Sequence, residues 1–360
     1  MSSVKRLFLL FPLLGLLASC SEDFEVAAPY KNVTVVYGLL DIADTAHYIR
    51  IQKAFLDENK SALDMATSAD SSFYKTISVH LKELSDTGKN GTLFVDEVLN
   101  RVDLNNEGYP KAQGPFFTAP NYAYKTNRTL ISGRAYRIVV TNTSTGQVDS
   151  AETFLIDNAK NPPPKGFNVP KITAFYTVSF PVRLSTSTFD LDVQIPQFSQ
   201  TYEGIVRFHW LTRDGSGNEK IDSSDYHFAT TVRDQADPTR ASAKLSVPEI
   251  SFYYFLQGAM GAVPNTTTRY MDSCDIYVWA ASKDFADYQK INGAQGGITA
   301  DQIKPIYTNI KSNHDGSAIG LFTSRAHLGY RNIAINDVTL DSLMSNSITY
   351  PLNIRGRTTK

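Results

Sequence analysis

Apolar and polar residues alternate with a period of two through most of this chain. Each alternating run stops at a cluster of Gly, Pro, Asn, Asp or Ser. A strand with one buried face reads this way. Residues 33–40 and 47–54 give the first two predicted strands, with 41–46 as the turn between them. Ser61 is placed to cap a single helical turn over 61–66. Residues 74–84 alternate again, with Ile77, Val79 and Leu81 on one face, and the turn cluster 86–91 leads into a strand over 92–98. The clearest hairpin runs out over 135–141, turns at 142–146 and returns over 147–156. Short strands at regular spacing, punctuated by turn signals, predict an immunoglobulin-like β-sandwich over residues 32–160. The Cys…Trp…Cys core of true immunoglobulin domains is missing, so only the architecture is implied.

Pro162, Pro163 and Pro164 then interrupt the alternation, and consecutive prolines hold an extended spacer. Residues 161–168 are therefore expected to be a Pro-rich linker to a second β-rich domain over 169–360. Strands are predicted there over 172–184, 188–195, 204–212, 225–233, 270–280 and 317–322; residues 340–354 fit no clear class. Two short helices are predicted. One follows Pro248, which a first helical turn accepts, and the other follows Ser282 through Phe285, Tyr288 and Ile291. Thr299 and Gln302 fit a capping box before a further short turn. The fold class is thus mainly β, with two sandwich-like domains and a few short helices in the second.

One apolar run breaks the pattern. Residues 7–18 are apolar and follow Lys5 and Arg6. A membrane span needs roughly 18 or more such residues, so residues 1–19 read as a signal peptide. The run ends in Leu17-Ala18-Ser19-Cys20, which resembles the bacterial lipobox. That resemblance implies that Cys20 is acylated and becomes the mature N-terminus. Ser21, Glu22, Asp23, Phe24 and Glu25 follow, and they resemble the acidic export tags of Bacteroidota surface lipoproteins. The resemblance implies a lipidated acidic tether over 20–31 and a place on the outer face of the outer membrane. A plain solvated tether would carry the same charges.

The totals narrow the partners. Of 360 residues, 42% are hydrophobic, enough for sizeable cores, and the length favours two domains. The 35 basic and 36 acidic residues leave a net charge of −1, so no long-range field draws nucleic acid to the chain. No second apolar run approaches membrane length, which leaves the lipid as the expected attachment. With Cys20 acylated, Cys274 has no disulfide partner and reads as a small buried apolar residue.

Candidate chemistry is sparse. Asp214, Ser216, Asn218, Asp222 and Asp225 fall at positions 1, 3, 5, 9 and 12 of a calcium-loop template. Glu219 stands where that loop needs its sharp-turn glycine, and both flanks read as strands, so the segment reads foremost as a polar hairpin turn. His209 and His227 fall on adjacent predicted strands and could meet across a hairpin. No Gly-x-Ser-x-Gly elbow, phosphate loop or dinucleotide fingerprint is present. No catalytic residue and no cofactor is expected, and the protein is read as not an enzyme. Dense aromatics at 115–124 and 252–255 are expected mainly in cores. The long Gly/Pro-rich, aromatic loop over 105–124 is the first place to look for a contact surface.

Scattered segments resemble a broad family of Bacteroidota outer-membrane lipoproteins of unknown function. These segments are residues 32–40, the 136–154 hairpin, 284–288, 307–310 and 316–322, together with the lipobox; residues 41–54 depart from the pattern. Members of that family often lie beside genes for TonB-dependent receptors. The resemblance implies a non-catalytic binding or accessory component at the cell surface, partnered by such a receptor in nutrient uptake. A structural or adhesive role is the alternative, and a surface hydrolase a more distant one.

Overall fold

A computed structural model describes residues 33–54, 61–88, 90–156, 167–182, 186–233, 242–293, 306–314 and 318–356. The signal peptide, Cys20, the tether, residues 161–166 of the linker and the capping box at Thr299 lie outside the described residues. The fold is mainly β, with sheets in a sandwich-like arrangement, as the alternation predicts.

The first half contributes β1 (Thr34–Asp41), β2 (His47–Lys53), α1 (Ala62–Ala66), α2 (Ala69–Ser72), β3 (Ile77–Leu84), β4 (Leu93–Val98), β5 (Asn100–Asp103), β6 (Tyr122–Thr126), β7 (Ala135–Asn142) and β8 (Val148–Phe154). The Ser61 hydroxyl caps α1 by accepting from the Asp64 N–H at 3.1 Å. Strands pair in the order β1-β2-β6-β5 on one side and β8-β7-β3-β4 on the other. This is the A-B-E-D and G-F-C-C′ order of immunoglobulin domains. The inward residues of both sheets, among them Val36, Ile49, Val79, Leu81, Ile138 and Val140, form one core. Tyr136 is wholly buried at the start of β7, and its hydroxyl accepts from the Ile131 N–H at 2.7 Å, the tyrosine corner of such folds. Burial pushes its phenol up to about 12.

The second half contributes α3 (Pro170–Phe175), β9 (Thr177–Val178), β10 (Thr188–Gln194), β11 (Ser199–Arg213), β12 (Glu219–His227), β13 (Thr231–Val232), β14 (Ser242–Pro248) and α4 (Ile250–Met260). It continues through β15 (Thr268–Tyr270), β16 (Ser273–Ser282), α5 (Lys283–Gly293), β17 (Lys311–Ser312), β18 (Ala318–Ile335), α6 (Asp337–Ser345) and β19 (Ile354–Arg355). A second core lies between the β11–β16–β18 sheet, the β10–β14 ribbon, α4 and α6. Phe180, Phe189, Phe208, Phe228 and Phe252 meet there mostly edge to face. Phe252 and Tyr253 of the 252–255 cluster are wholly buried, while Tyr254 is exposed.

The strand expected over 172–184 is instead α3 followed by the two-residue β9. Pro170 presets the first helical turn, and Tyr176 ends it in the left-handed region at φ 47°. The stretch 340–354, which fits no clear class in sequence, supplies the later part of α6, a helix capped by the Asn336 side chain on the Thr339 N–H.

The chain has two cores, but the boundary at 161–168 divides neither the cores nor the sheets cleanly: Ile156, before it, packs in the second core. The last predicted strand, 317–322, is only the start of the 18-residue β18. Its first part pairs in parallel with β1 from Ala318 to Arg325, and its remainder pairs antiparallel with β16. Ile310, Ala318 and Phe322 accordingly belong to the first core, so residues 169–360 are not a self-contained unit. Strand β1 offers an open edge that its own sandwich does not pair, and β18 covers it. A wholly buried carboxylate marks the crossing: Asp41 Oδ2 meets Arg325 Nε at 3.0 Å and His327 Nδ1 at 2.7 Å. Such a charge is tolerated only with its partners in place.

Candidate functional site

A polar cavity of about 520 Å³ opens beside β4, β5 and β6 of the first sandwich. The cavity is lined by Glu97 from β4, Asn100 and Val102 from β5, Lys125 and Thr126 from β6, then Asn127 and Arg128 just past it. Glu107 joins them from the 105–124 loop. In β6 the half-buried Lys125 stands between the buried Tyr124 and Thr126.

Two ion-pair systems frame the cavity. Glu107 Oε2 accepts from Lys125 Nζ at 2.5 Å and from the Tyr48 hydroxyl at 2.9 Å. The Lys125 ammonium holds the Glu107 carboxyl below its usual range, and Glu107 in turn raises Lys125. On the other side Arg128 Nη2 reaches the buried Glu83 at 3.3 Å. Thr126 Oγ1 donates to Glu97 Oε1 at 2.8 Å and accepts from the Arg128 N–H at 3.0 Å.

Polar capacity is left over at this place. Glu97 Oε2 and Arg128 Nε are buried without a hydrogen-bond partner. His47 stands opposite Thr126 across β2 and β6 and is 2% exposed; neither ring nitrogen has a well-formed hydrogen bond, although the Arg128 backbone lies within reach of the ring. Among the described residues only one other buried side-chain atom is in this state, Arg269 Nε in the second half. An unpaired buried polar atom costs about 1–3 kcal/mol, so such a cluster is kept at the expense of stability.

His47 gives a pH signature. Burial depresses its imidazole below 6.5, against a smaller upward pull from Asp44 and Asp41 and from the Arg128 backbone. Below pH 6.5 the unfolded chain then binds a proton that the folded chain refuses, so stability falls with acidification. The urea midpoint is expected to drop as the pH falls below about 6.5 in the wild type and to drop less in His47→Leu. Parallel pH profiles for the two proteins would show that His47 is not the group responsible.

The 105–124 loop is tied down rather than open. Asn105 Nδ2 donates to the Thr118 carbonyl at 3.1 Å, and Lys111 Nζ to the Phe117 carbonyl at 2.8 Å. Phe117 packs edge to face on Phe73. Tyr109 and Phe116 remain exposed. The loop meets the cavity through Glu107, a convergence that residue spacing gives no sign of.

No family model matches the chain, and no curated protein matches it. Among solved structures it is similar to the C-terminal globular domain of oligosaccharyltransferase from Pyrococcus abyssi, with 8% identity and a TM-score of 0.14. That match covers 85% of this chain and 49% of the other, about half its length. It is also similar to calcium binding domain CBD12 of CALX1.1, with 10% identity, 81% and 98% coverage, and a TM-score of 0.13. Likenesses this slight carry no argument about the chain.

Cys20, Ser21, Glu22, Asp23, Phe24 and Glu25 lie outside the described residues. The five residues of the calcium-loop template are described, and the hairpin spreads them. Asp214 Oδ1 accepts from the Ser216 and Asn218 N–H groups at 2.9 and 2.8 Å, and its Oδ2 from the Asn218 side chain at 2.8 Å. These bonds close the β11–β12 turn and hold the carboxyl below its usual range. Asp222 pairs with Lys220 at 2.7 Å, and Asp225 is gripped by both arms of Arg207 at 2.7 and 2.8 Å. A strand rises about 3.3 Å per residue, so the later positions move away from the turn instead of folding back on it. No group of three or more His, Cys, Asp or Glu side chains converges among the described residues. His209 and His227 stand opposite Ser223 and Ile205, out of register with each other. His209 pairs with Asp275 at 3.1 Å and His227 with Glu203 at 3.7 Å. Cys274 is wholly buried, and burial pushes its thiol up, away from the reactive thiolate.

Proposed function

We propose that this protein is a lipid-anchored, non-catalytic binding component of the outer-membrane surface, and that the cavity beside β6 takes a small polar ligand. The observation that carries the binding reading is that Glu97 Oε2 and Arg128 Nε, buried atoms without a hydrogen-bond partner, belong to side chains that line one polar opening. A fold keeps such groups where they serve a ligand rather than its own stability. The lipobox at Cys20 and the acidic residues behind it support the location. A tether raises the effective concentration of a module near a membrane partner, so modest affinity for a TonB-dependent receptor would suffice. A soluble polar ligand held in the cavity could then be passed to such a receptor.

The test is thermal unfolding against a panel of free sugars, amino acids and short peptides. A ligand at a hundredfold its Kd adds about 2.7 kcal/mol to the folded state, and the wild-type Tm is expected to rise accordingly. Glu97→Gln keeps the shape of the cavity and removes its unpaired charge, and it is expected to weaken the shift. No shift with any member of the panel, or a shift that Glu97→Gln and Arg128→Leu both leave intact, would remove the cavity from the reading.

A further inference from the structure

The five-stranded sheet has a gap in its edge. The Asn142 N–H donates to the Gln147 carbonyl at 2.9 Å and the Leu155 N–H to the Arg134 carbonyl at 2.8 Å. Antiparallel pairing alternates, so the odd-numbered residues of β8 bond to β7 and the even-numbered ones face away. Val148 is met by Asn313, whose N–H donates to the Val148 carbonyl at 3.0 Å. Ser150 lies opposite Lys311 of β17. The Phe154 carbonyl accepts from the Ser324 hydroxyl at 2.5 Å. Between them, the Glu152 N–H and C=O have no partner among the described residues. Extending the β17 register would set Asn309 against Glu152. Asn309 bonds to β18 instead, donating Nδ2 to the Phe322 carbonyl at 2.7 Å and accepting from the Phe322 N–H at 3.0 Å. The chain therefore leaves β8 one step before Glu152.

A cleft of about 530 Å³ occupies the place of the missing strand. One wall is the β8 edge, and the other is formed by Lys283 and Asp284 at the start of α5. Phe154 and Phe198 stack face to face at its lip, with ring centroids 4.1 Å apart and planes 4° apart. Most charges here are spent: Glu152 on Arg137 at 2.6 Å, Lys283 on Asp287 at 2.5 Å, and Asp284 on the Tyr307 hydroxyl at 2.6 Å. Lys311 is exposed and has no ion pair among the described residues.

We propose that this cleft takes an extended peptide segment of a partner protein, held to the β8 edge through Glu152. The Glu152 N–H and C=O would pair with its backbone, an apolar side chain would lie on Phe154 and Phe198, and an acidic side chain would reach Lys311. Main-chain bonding of this kind supplies affinity, and the alternate side chains supply specificity. The cleft shares no lining residue with the polar cavity, so either site can fail without the other.

The probe is a capped hexapeptide of alternating Thr and Val with one central Asp. Two controls accompany it, the same peptide with alternate amides N-methylated and the same peptide with Lys in place of Asp. Binding is measured calorimetrically on the detergent-solubilised full chain, with hydrogen exchange followed over 148–156. Saturation with the Asp peptide is expected to slow exchange at Glu152 by about tenfold or more, and N-methylation to weaken binding by at least as much. Lys311→Glu, at an exposed position, is expected to weaken the Asp peptide and strengthen the Lys peptide. The proposal falls if the N-methylated peptide binds equally or no peptide saturates at millimolar concentration. It falls equally if Lys311→Glu leaves the order of affinities unchanged. Protection of Glu152 that arises without peptide, in step with a dimer seen by sedimentation, would assign the edge to a second copy and overturn it too.

Discussion

Gly320→Ala is expected to destabilise the protein by about 4 kcal/mol or more, a large share of the roughly 5–15 kcal/mol that holds a typical domain folded. Gly320 lies in β18, opposite Val36 of β1, with φ at +124°. An L side chain rarely adopts that backbone, and a Cβ there would stand 1.9 Å from the Val36 carbonyl oxygen. The obstacle is main chain, so no rotamer relieves it. Either β1 or β18 must shift, and these two strands join the first core to the second sheet. The ion pairs of the buried Asp41 with Arg325 and His327 sit at the end of the same pairing, so their geometry would be disturbed along with the strands. Gly258→Ala is the control. Gly258 is exposed within α4 with nothing near its missing Cβ, and alanine there is expected to add about 1 kcal/mol through helix propensity. Urea denaturation of the three proteins measures both effects. Equal midpoints for the wild type and Gly320→Ala would mean that the β1–β18 contact yields easily.

Cys20→Ala is expected to abolish membrane attachment altogether. Without the thiol there is no acceptor for the diacylglycerol that the lipobox resemblance implies, and the apolar run 7–18 is too short to span a bilayer by itself. No helix among the described residues is long and apolar enough to cross a membrane. A single acyl chain binds membranes only marginally and stable anchoring takes at least two, so the loss should be close to complete. Labelled fatty acid should vanish from the protein, and the protein should appear unprocessed or in the soluble fraction. Unchanged fractionation, or label retained after the substitution, would contradict the anchor reading. Replacing Glu22, Asp23 and Glu25 together by Ala separates anchoring from export, because only surface accessibility to added protease should change.

The candidate site is partly legible in the sequence. Spacing alone marks 105–124 as a loop, and Glu107 brings that loop to the polar cavity. His47, Glu97 and Arg128 carried no such mark. They are far apart in sequence, and what distinguishes them is a lack of partners, a property of packing. Asp214 to Asp225 shows the reverse case. Its residue types match a calcium template, but the strands on either side decide where the carboxylates point, and they spread them.

Period-two alternation with Gly, Pro and Asn punctuation by itself determined the β class, the β7–β8 hairpin and the sandwich architecture of the first half, because strand burial and turn geometry are local properties. Ser61 and Ser282 likewise marked helix starts through side-chain caps that need only near neighbours, whereas Pro248 ends β14 and Glu249 takes the cap position of α4. The tertiary structure alone decided that β18 would run on past Phe322 and stitch the two cores together. Strand pairing satisfies backbone donors and acceptors that every residue carries alike, so which edge a strand covers leaves almost no trace in side-chain types. The same reason hides the open edge at Glu152, where what is missing is a neighbour rather than a residue.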